Sequence, residues 1–284
     1  MPLDQIDVDQ IENGKSNPEE AEMSFLDHLE ELRWHIIRSL IAILAVSIVF
    51  FIFKNWFFGT VLLGPTEDDF ISYQYFCWLS EWLHAGSALC FDPPEFRIQA
   101  TGFAENFILH IKSAFIGGFV AAFPYVFYEI WKFVVPGLYP NERKVTRGVV
   151  IICSFLFITG VLFGYFVIAP FAINFLGGYV LPGVENAPTV SSLIGYMVMF
   201  TLPAGLIFEL PMVVYFLSKL GLVTPAGMKQ YRRHAVIGIL ALSAIITPPD
   251  VVTQFLIGIP LFILYELSIG IARRGEKEYN KDLE

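Results

Sequence analysis

Long apolar runs constrain this chain more than any other feature. Stretches at about 36–58, 107–134, 148–175 and 195–217 are apolar almost throughout. Each is long enough to cross a bilayer core, which takes about 20 helical residues. Two further runs follow, at about 234–247 and 251–270. Hydrophobic residues make up 55% of the 284, only 16% are charged, and mean hydropathy is +0.60. That composition is too apolar for a soluble domain. The expected fold class is all-α: a polytopic membrane protein of six transmembrane helices, with short fifth and sixth spans. At 1.5 Å per residue the fifth run reaches about 21 Å, against a hydrocarbon core of about 30 Å. A pair that short thins the bilayer or shelters behind longer neighbours.

Polar segments divide the chain. Residues 1–22 form an acidic tail: residues 1–31 carry ten Asp and Glu against one Lys. The net charge of −9 is therefore not the property of one surface. The tail lacks a basic n-region and an apolar h-region, so no cleavable signal peptide is expected. Phe25, Leu29, Leu32 and Ile36 recur at helical spacing, and Ser24 with Asp27 resembles a capping box. This short amphipathic element should lie at the cytosolic interface and feed into the first span. Residues 59–106 form a long outer loop whose aromatics, among them Phe70, Tyr73, Trp78 and Trp82, point to interfacial helices. Pro170 should kink or end the third span, and Pro203 and Pro211 should interrupt the fourth. The membrane domain should cover residues 23–272, and residues 273–284 read as a charged cytosolic tail.

Basic residues set the orientation of such a chain. With both termini cytosolic, the inner segments hold 15 of the 18 Lys and Arg, and only Lys54, Arg97 and Lys112 lie elsewhere. An N-in, C-in topology is expected. No repeat relates the first three spans to the last three, which counts against an inverted-repeat transporter.

The chemistry concentrates in few places. In the inner loop from Trp131 to Arg147, Pro136-Gly137 ends one helix and Pro140-Asn141 opens the next. One carboxylate, Glu142, stands among the loop's basic residues. It reads either as a solvated first-turn residue favoured by the helix dipole or as a functional group. Glu209 lies inside the fourth span, where an ionisable residue is costly and faces protein or water. It is either a buried structural carboxyl or a polar anchor for a substrate or a partner helix. Cys77 and Cys90 lie 13 residues apart in the outer loop, where an oxidising exterior would permit a disulfide. The spacing leaves that pairing open, and Cys153 in the third span reads as a small packed apolar residue. No His-Glu-x-x-His, Walker loop or Gly-x-Ser-x-Gly elbow occurs, so no enzymatic activity, metal or cofactor is expected.

Four stretches together carry a resemblance. They are Phe25-Leu-Asp-His-Leu-Glu-Glu-Leu-Arg33, Trp131-Lys-Phe-Val-Val-Pro-Gly-Leu-Tyr-Pro-Asn-Glu-Arg-Lys144, Phe208-Glu-Leu-Pro211 and Thr247-Pro-Pro-Asp-Val-Val-Thr-Gln254. In this order they resemble TatC, the multispanning core subunit of the twin-arginine protein translocase, over residues 23 to 272. The resemblance implies a receptor and scaffold for folded precursors whose signal peptides carry paired arginines, in a bacterial cytoplasmic (inner) membrane and driven by the transmembrane proton gradient. It implies a cytosolic recognition patch at Glu31, Leu32, Arg33, Phe133, Pro136 and Glu142. Two arginines need two acceptors, and Glu31 and Glu142 could supply one each on the same face. Arg33 would orient a carboxylate. Glu209 resembles the family's intramembrane glutamate, a polar contact for partner subunits. Thr247, Asp250 and Gln254 lie at the partner-docking edge of the fifth and sixth spans. The implied partners are TatA- and TatB-type single-span subunits, twin-arginine precursors and the lipid bilayer. Self-association stays open, and no nucleic acid is expected. The outer loop 59–106, with its two cysteines, and the acidic tail depart from the family pattern. The alternative reading is a proton-coupled secondary transporter using Glu209, which should show midplane binding residues in both halves.

Overall fold

The computed structural model describes residues 25–82, 84, 90, 91, 93, 97–134, 146–183, 186–246 and 251–283. Its helices are, in order, α1 (Phe25–Ile52), α2 (Lys54–Trp56), α3 (Ile71–Trp82), α4 (Glu105–Val134), α5 (Thr146–Phe163), α6 (Ala169–Gly178), α7 (Val190–Ile207), α8 (Leu210–Lys219), α9 (Pro225–Gln230), α10 (Arg232–Ile246) and α11 (Val251–Leu283). Five described stretches are helical, long and apolar enough to cross a membrane: Leu29–Ile52, Glu105–Val134, Gly148–Gly178, Val190–Lys219 and Thr253–Asn280. The outward faces are apolar, with Ile41, Ile48, Phe155 and Ile245 all more than half exposed. Such faces suit lipid as surroundings. At 15 residues α10 is the shortest of the long apolar helices; it reaches about 22 Å.

Close approach between helices depends on missing side chains. Helix α1 packs along α4. A Cβ on Gly118 would lie 2.8 Å from the Ser47 nitrogen and 2.9 Å from the Ile43 carbonyl oxygen. Helix α5 packs against α7 in the same way, where a Cβ on Gly160 would meet the Ala204 carbonyl at 2.6 Å. The largest core cluster joins Ile168, Ala172, Met197, Phe200, Ile257 and Leu261, so α7 stands at the centre of the bundle.

The helix boundaries correct several sequence expectations. The amphipathic element and the first span form one helix, α1, because no Gly or Pro interrupts residues 25–58. Pro203 and Pro260 lie inside unbroken helices. Ahead of Pro170 the chain opens into a π turn, Gly164–Ile168, with the Ala169 N–H bonded to the Gly164 carbonyl. Pro170 has no N–H to return to the preceding turn, and the wider turn absorbs the loss. The break in the fourth span falls at Phe208-Glu209, just ahead of Pro211.

The sixth span is not short. Helix α11 runs 33 residues, past Gly270 and through most of the segment expected to be a charged tail. Gly275 allows this. A Cβ there would meet the Ser218 Cβ and the Tyr215 carbonyl, each at 2.9 Å, so α11 lies almost against the α8 backbone. Glu278 then accepts the Tyr215 hydroxyl at 2.8 Å and pairs with Lys219 at 3.3 Å.

The outer segment is packed, not free. Phe76 meets Phe171 edge-on and Phe91 meets it tilted, with centroids 4.7 and 4.5 Å away. The Tyr73 hydroxyl donates to the Pro65 carbonyl at 2.6 Å. Burial, and then the Asp68 charge, push that phenol above its usual range, so it stays a donor. The structure joins Cys77 and Cys90 in a disulfide, Cα to Cα 4.2 Å, which ties the middle of α3 to Cys90 and its neighbour Phe91.

Candidate functional site

The start of α1 meets the end of α4, and three polar side chains fall in line there. Glu31 and His35 are four residues apart on α1 and so share one helix face. His35 Nδ1 lies 2.6 Å from Glu129 Oε2 on α4. His35 and Glu129 are only 5% and 3% exposed, so this hydrogen bond is shielded from water. Burying both groups is tolerable only because each satisfies the other. On its other side, His35 Nε2 lies 3.8 Å from Glu31 Oε1, too long for a hydrogen bond. The Phe133 ring, in the last turn of α4, meets the imidazole edge-on with centroids 6.3 Å apart. Arg38 and Tyr125 also face Glu129.

Two of the sequence-predicted site residues, Glu31 and Phe133, are therefore brought together from different helices, and His35 is what joins them. Glu31 is a half-exposed carboxylate with one oxygen, Oε2, tucked in without a hydrogen-bond partner. It is held but uncommitted. Leu32 is half-buried and Arg33 is exposed beside it. Pro136 and Glu142 lie outside the described residues, as do Thr247 and Asp250.

Sequence reading missed His35 and Glu129 as members of this patch. A signal was present: Glu129 is an ionisable residue near the end of an apolar run, the situation that demands a partner. Its partner stands 94 residues earlier, a distance no local pattern spans.

Glu209 sits elsewhere, at the break between α7 and α8. Its N–H reaches back to the Leu206 carbonyl at 3.2 Å, and its carbonyl accepts from Met212 and Val213 at 2.9 and 3.0 Å. The backbone is satisfied; the carboxyl is not. Both oxygens are buried without a hydrogen bond of acceptable geometry, although the Cys153 thiol and the Phe157 backbone of α5 face them. Cys153 packs with Trp131, Val149 and Met212. Gln254, on α11, donates its amide to the Leu240 carbonyl of α10 at 3.1 Å. Among the described residues no three His, Cys, Asp or Glu gather as a metal site.

A chain of stacked helices long and apolar enough to cross a membrane, with large apolar residues on their outer faces, is a multi-pass membrane protein. Its sequence and fold narrow this further. The family model described as Sec-independent protein translocase protein (TatC) matches residues 27–260, and the chain belongs to that family, a component of the protein-translocation machinery. The TatC protein of Blattabacterium sp. subsp. Periplaneta americana is 39% identical over 258 residues, 89% of this chain and 96% of that one. The TatC protein of Desulforapulum autotrophicum is 35% identical over 94% of this chain and 90% of its own. Among solved structures, a crystal structure of the twin-arginine translocase receptor TatC superposes with a TM-score of 0.62 at 28% identity, covering 87% of this chain and 99% of that one. A second, in the detergent DDM, gives 0.66 at 30% identity, over 86% of this chain and 99% of that one.

Proposed function

We propose that this protein is the receptor and scaffold subunit of a twin-arginine translocase. It binds Arg-Arg signal peptides at its cytosolic face and assembles with TatA- and TatB-type single-span subunits to export folded proteins. It crosses a bacterial cytoplasmic membrane six times with both termini inside. The observation that carries this reading is Glu31: a half-exposed carboxylate 3.8 Å from His35, whose ring also meets Phe133, with neither oxygen committed to a hydrogen bond. A guanidinium meets a carboxylate through two parallel hydrogen bonds, and a Lys ammonium cannot copy that fork. Glu142 supplies the second acceptor for the second arginine. The concentration of basic residues on the inner segments supports the orientation. Glu209, an intramembrane carboxyl whose oxygens make no hydrogen bond of acceptable geometry within the chain, supports docking of a second helix at that level.

Peptide binding to the purified full chain tests this. Wild type should prefer an Arg-Arg signal peptide over its Lys-Lys version. The double variant Glu31→Gln/Glu142→Gln should lose the preference and bind about tenfold or more weakly, since each charged hydrogen bond lost costs about 1.5–3 kcal/mol. Equal binding of both peptides by both proteins would end the reading.

A further inference from the structure

We infer that the hollow beneath the outer segment is a lipid site, which takes the acyl part of one aminophospholipid and pairs its ammonium headgroup with Glu67 and Asp69. This goes beyond the receptor reading and does not rest on it; it needs only that the chain spans a membrane. The hollow measures about 840 Å³, within the roughly 300–1,000 Å³ of ordinary ligand pockets. Its walls include Ile116 and Val120 of α4, Val161 and Leu162 of α5, and Ile194 and Val198 of α7. Its roof is a π turn, Phe57–Leu62. The roof is fastened in place. The Tyr165 hydroxyl donates to the Val61 carbonyl at 2.5 Å, and the Phe70 and Phe166 rings stack with centroids 5.6 Å apart. Phe57 fits against Gly117, where a Cβ would meet its ring at 2.8 Å. Walls held this way do not collapse inward, and in a bilayer the filler at hand is hydrocarbon.

Two polar features select the lipid. The hydroxyls of Ser39, Ser47, Ser154, Ser243 and Ser268 each return to the carbonyl four residues back. Ser113 does not: it is 2% exposed, its Oγ has no hydrogen-bond partner, and it lines the hollow. A buried hydroxyl left this way is costly, and the ester carbonyl of a lipid would accept from it. Ser113 lies about 12 Å along α4 from its outer end, below the level of a headgroup. At the edge of the hollow, Glu67 and Asp69 are exposed, and neither joins an ion pair among the described residues. No Lys or Arg lines the hollow. Two carboxylates without a cation repel an anionic headgroup and attract an ammonium, whose N–H donors suit carboxylate oxygens. Phosphoethanolamine brings that ammonium; phosphoglycerol brings only negative charge.

The test purifies the full chain in mild detergent and follows lipid adducts by native mass spectrometry. Phosphatidylethanolamine and phosphatidylglycerol of equal chain length are titrated in turn. Wild type should hold one phosphatidylethanolamine about tenfold more tightly than phosphatidylglycerol. Glu67→Gln/Asp69→Asn should remove that preference, and Ser113→Ala should weaken both lipids by about threefold. Ala121→Trp, on the wall of the hollow, should displace the adduct whatever its headgroup. Glu67, Asp69 and Ala121 are all exposed, so these variants leave the packed core intact. Equal affinity of wild type for the two lipids overturns the inference. So does a preference that survives loss of both carboxylates, or an adduct that survives Ala121→Trp. Displacement of the adduct by a coexpressed single-span subunit also overturns it, and would make the hollow a helix site. No arm uses a signal peptide, so the receptor reading stands whichever way the lipid result falls.

Discussion

Two glutamates lie inside the spanning helices in opposite circumstances. Glu129 is 3% exposed and hydrogen-bonded to a histidine on another helix; Glu209 is 9% exposed, and neither of its oxygens has such a bond. Both are costly to place in an apolar setting. One cost is offset within the chain, and that pair locks α1 to α4. The other is not offset, at a point where Pro211 has already interrupted the helix. A paired polar group closes an interface, whereas an unpaired one keeps a place for something outside the chain. On this reading Glu129 belongs to the architecture that presents the recognition patch, and Glu209 to assembly with partner subunits.

The sharpest way to break the comparison is to orphan Glu129. His35→Ala leaves a buried carboxylate without its partner, and loss of one member of a buried pair costs about 3–5 kcal/mol. Unfolding of the protein in mild detergent by added SDS should show a loss of that size. The double variant His35→Leu/Glu129→Leu should recover most of it, since replacing both partners with apolar groups is close to neutral. A double variant as unstable as the single one would show that the helix contact depends on the polar pair itself.

Glu209 should behave in the reverse way. Glu209→Leu removes no hydrogen bond of acceptable geometry, and relieving a buried unsatisfied group is worth about 1–3 kcal/mol. The same unfolding assay should show unchanged or increased stability. Copurification with coexpressed TatA- and TatB-type subunits should nevertheless fall. A destabilised Glu209→Leu protein with unimpaired copurification would make Glu209 a structural residue and erase the contrast with Glu129.

How much of this was legible in the sequence follows from the range of the forces involved. Five long apolar helices were legible, because crossing a bilayer demands a mainly apolar run and residues 36–58 and 107–134 are mainly apolar despite a few charges. The helix break ahead of Pro211 was legible too, as a local loss of a hydrogen-bond donor. The extension of α11 was not. Its charges at Arg273, Arg274 and Lys277 look like a solvated tail, and only the spacing of Ala272, Gly275 and Tyr279 hints at a packed face. That face depends on Gly275 lying against α8, a neighbour 57 residues away from it at Ser218. The site divides in the same way. The family resemblance pointed to Glu31 and Phe133, whose role is the proposal above, while the histidine between them required knowing which face of α1 meets α4.

Gln254 provides the smallest and finest test, because it is an intermediate case. Its amide donates to the Leu240 carbonyl at 3.1 Å, so it is partly committed within the chain, to the contact between α10 and α11. A neutral hydrogen bond of this kind is worth about 0.5–1.5 kcal/mol. Gln254→Met keeps the length and removes the polar end, so stability in the SDS assay should fall by about that amount. The family resemblance also assigns Gln254 to the partner-docking edge, and its amide oxygen remains an acceptor for a second helix. If docking uses that oxygen, copurification of the single-span subunits should drop by more than the small stability loss explains. If Gln254 acts only as the brace between α10 and α11, copurification should follow stability and stay near the wild-type level. Gln254 would then stand with Glu129, leaving Glu209 as the intramembrane polar group whose oxygens make no hydrogen bond of acceptable geometry within the chain.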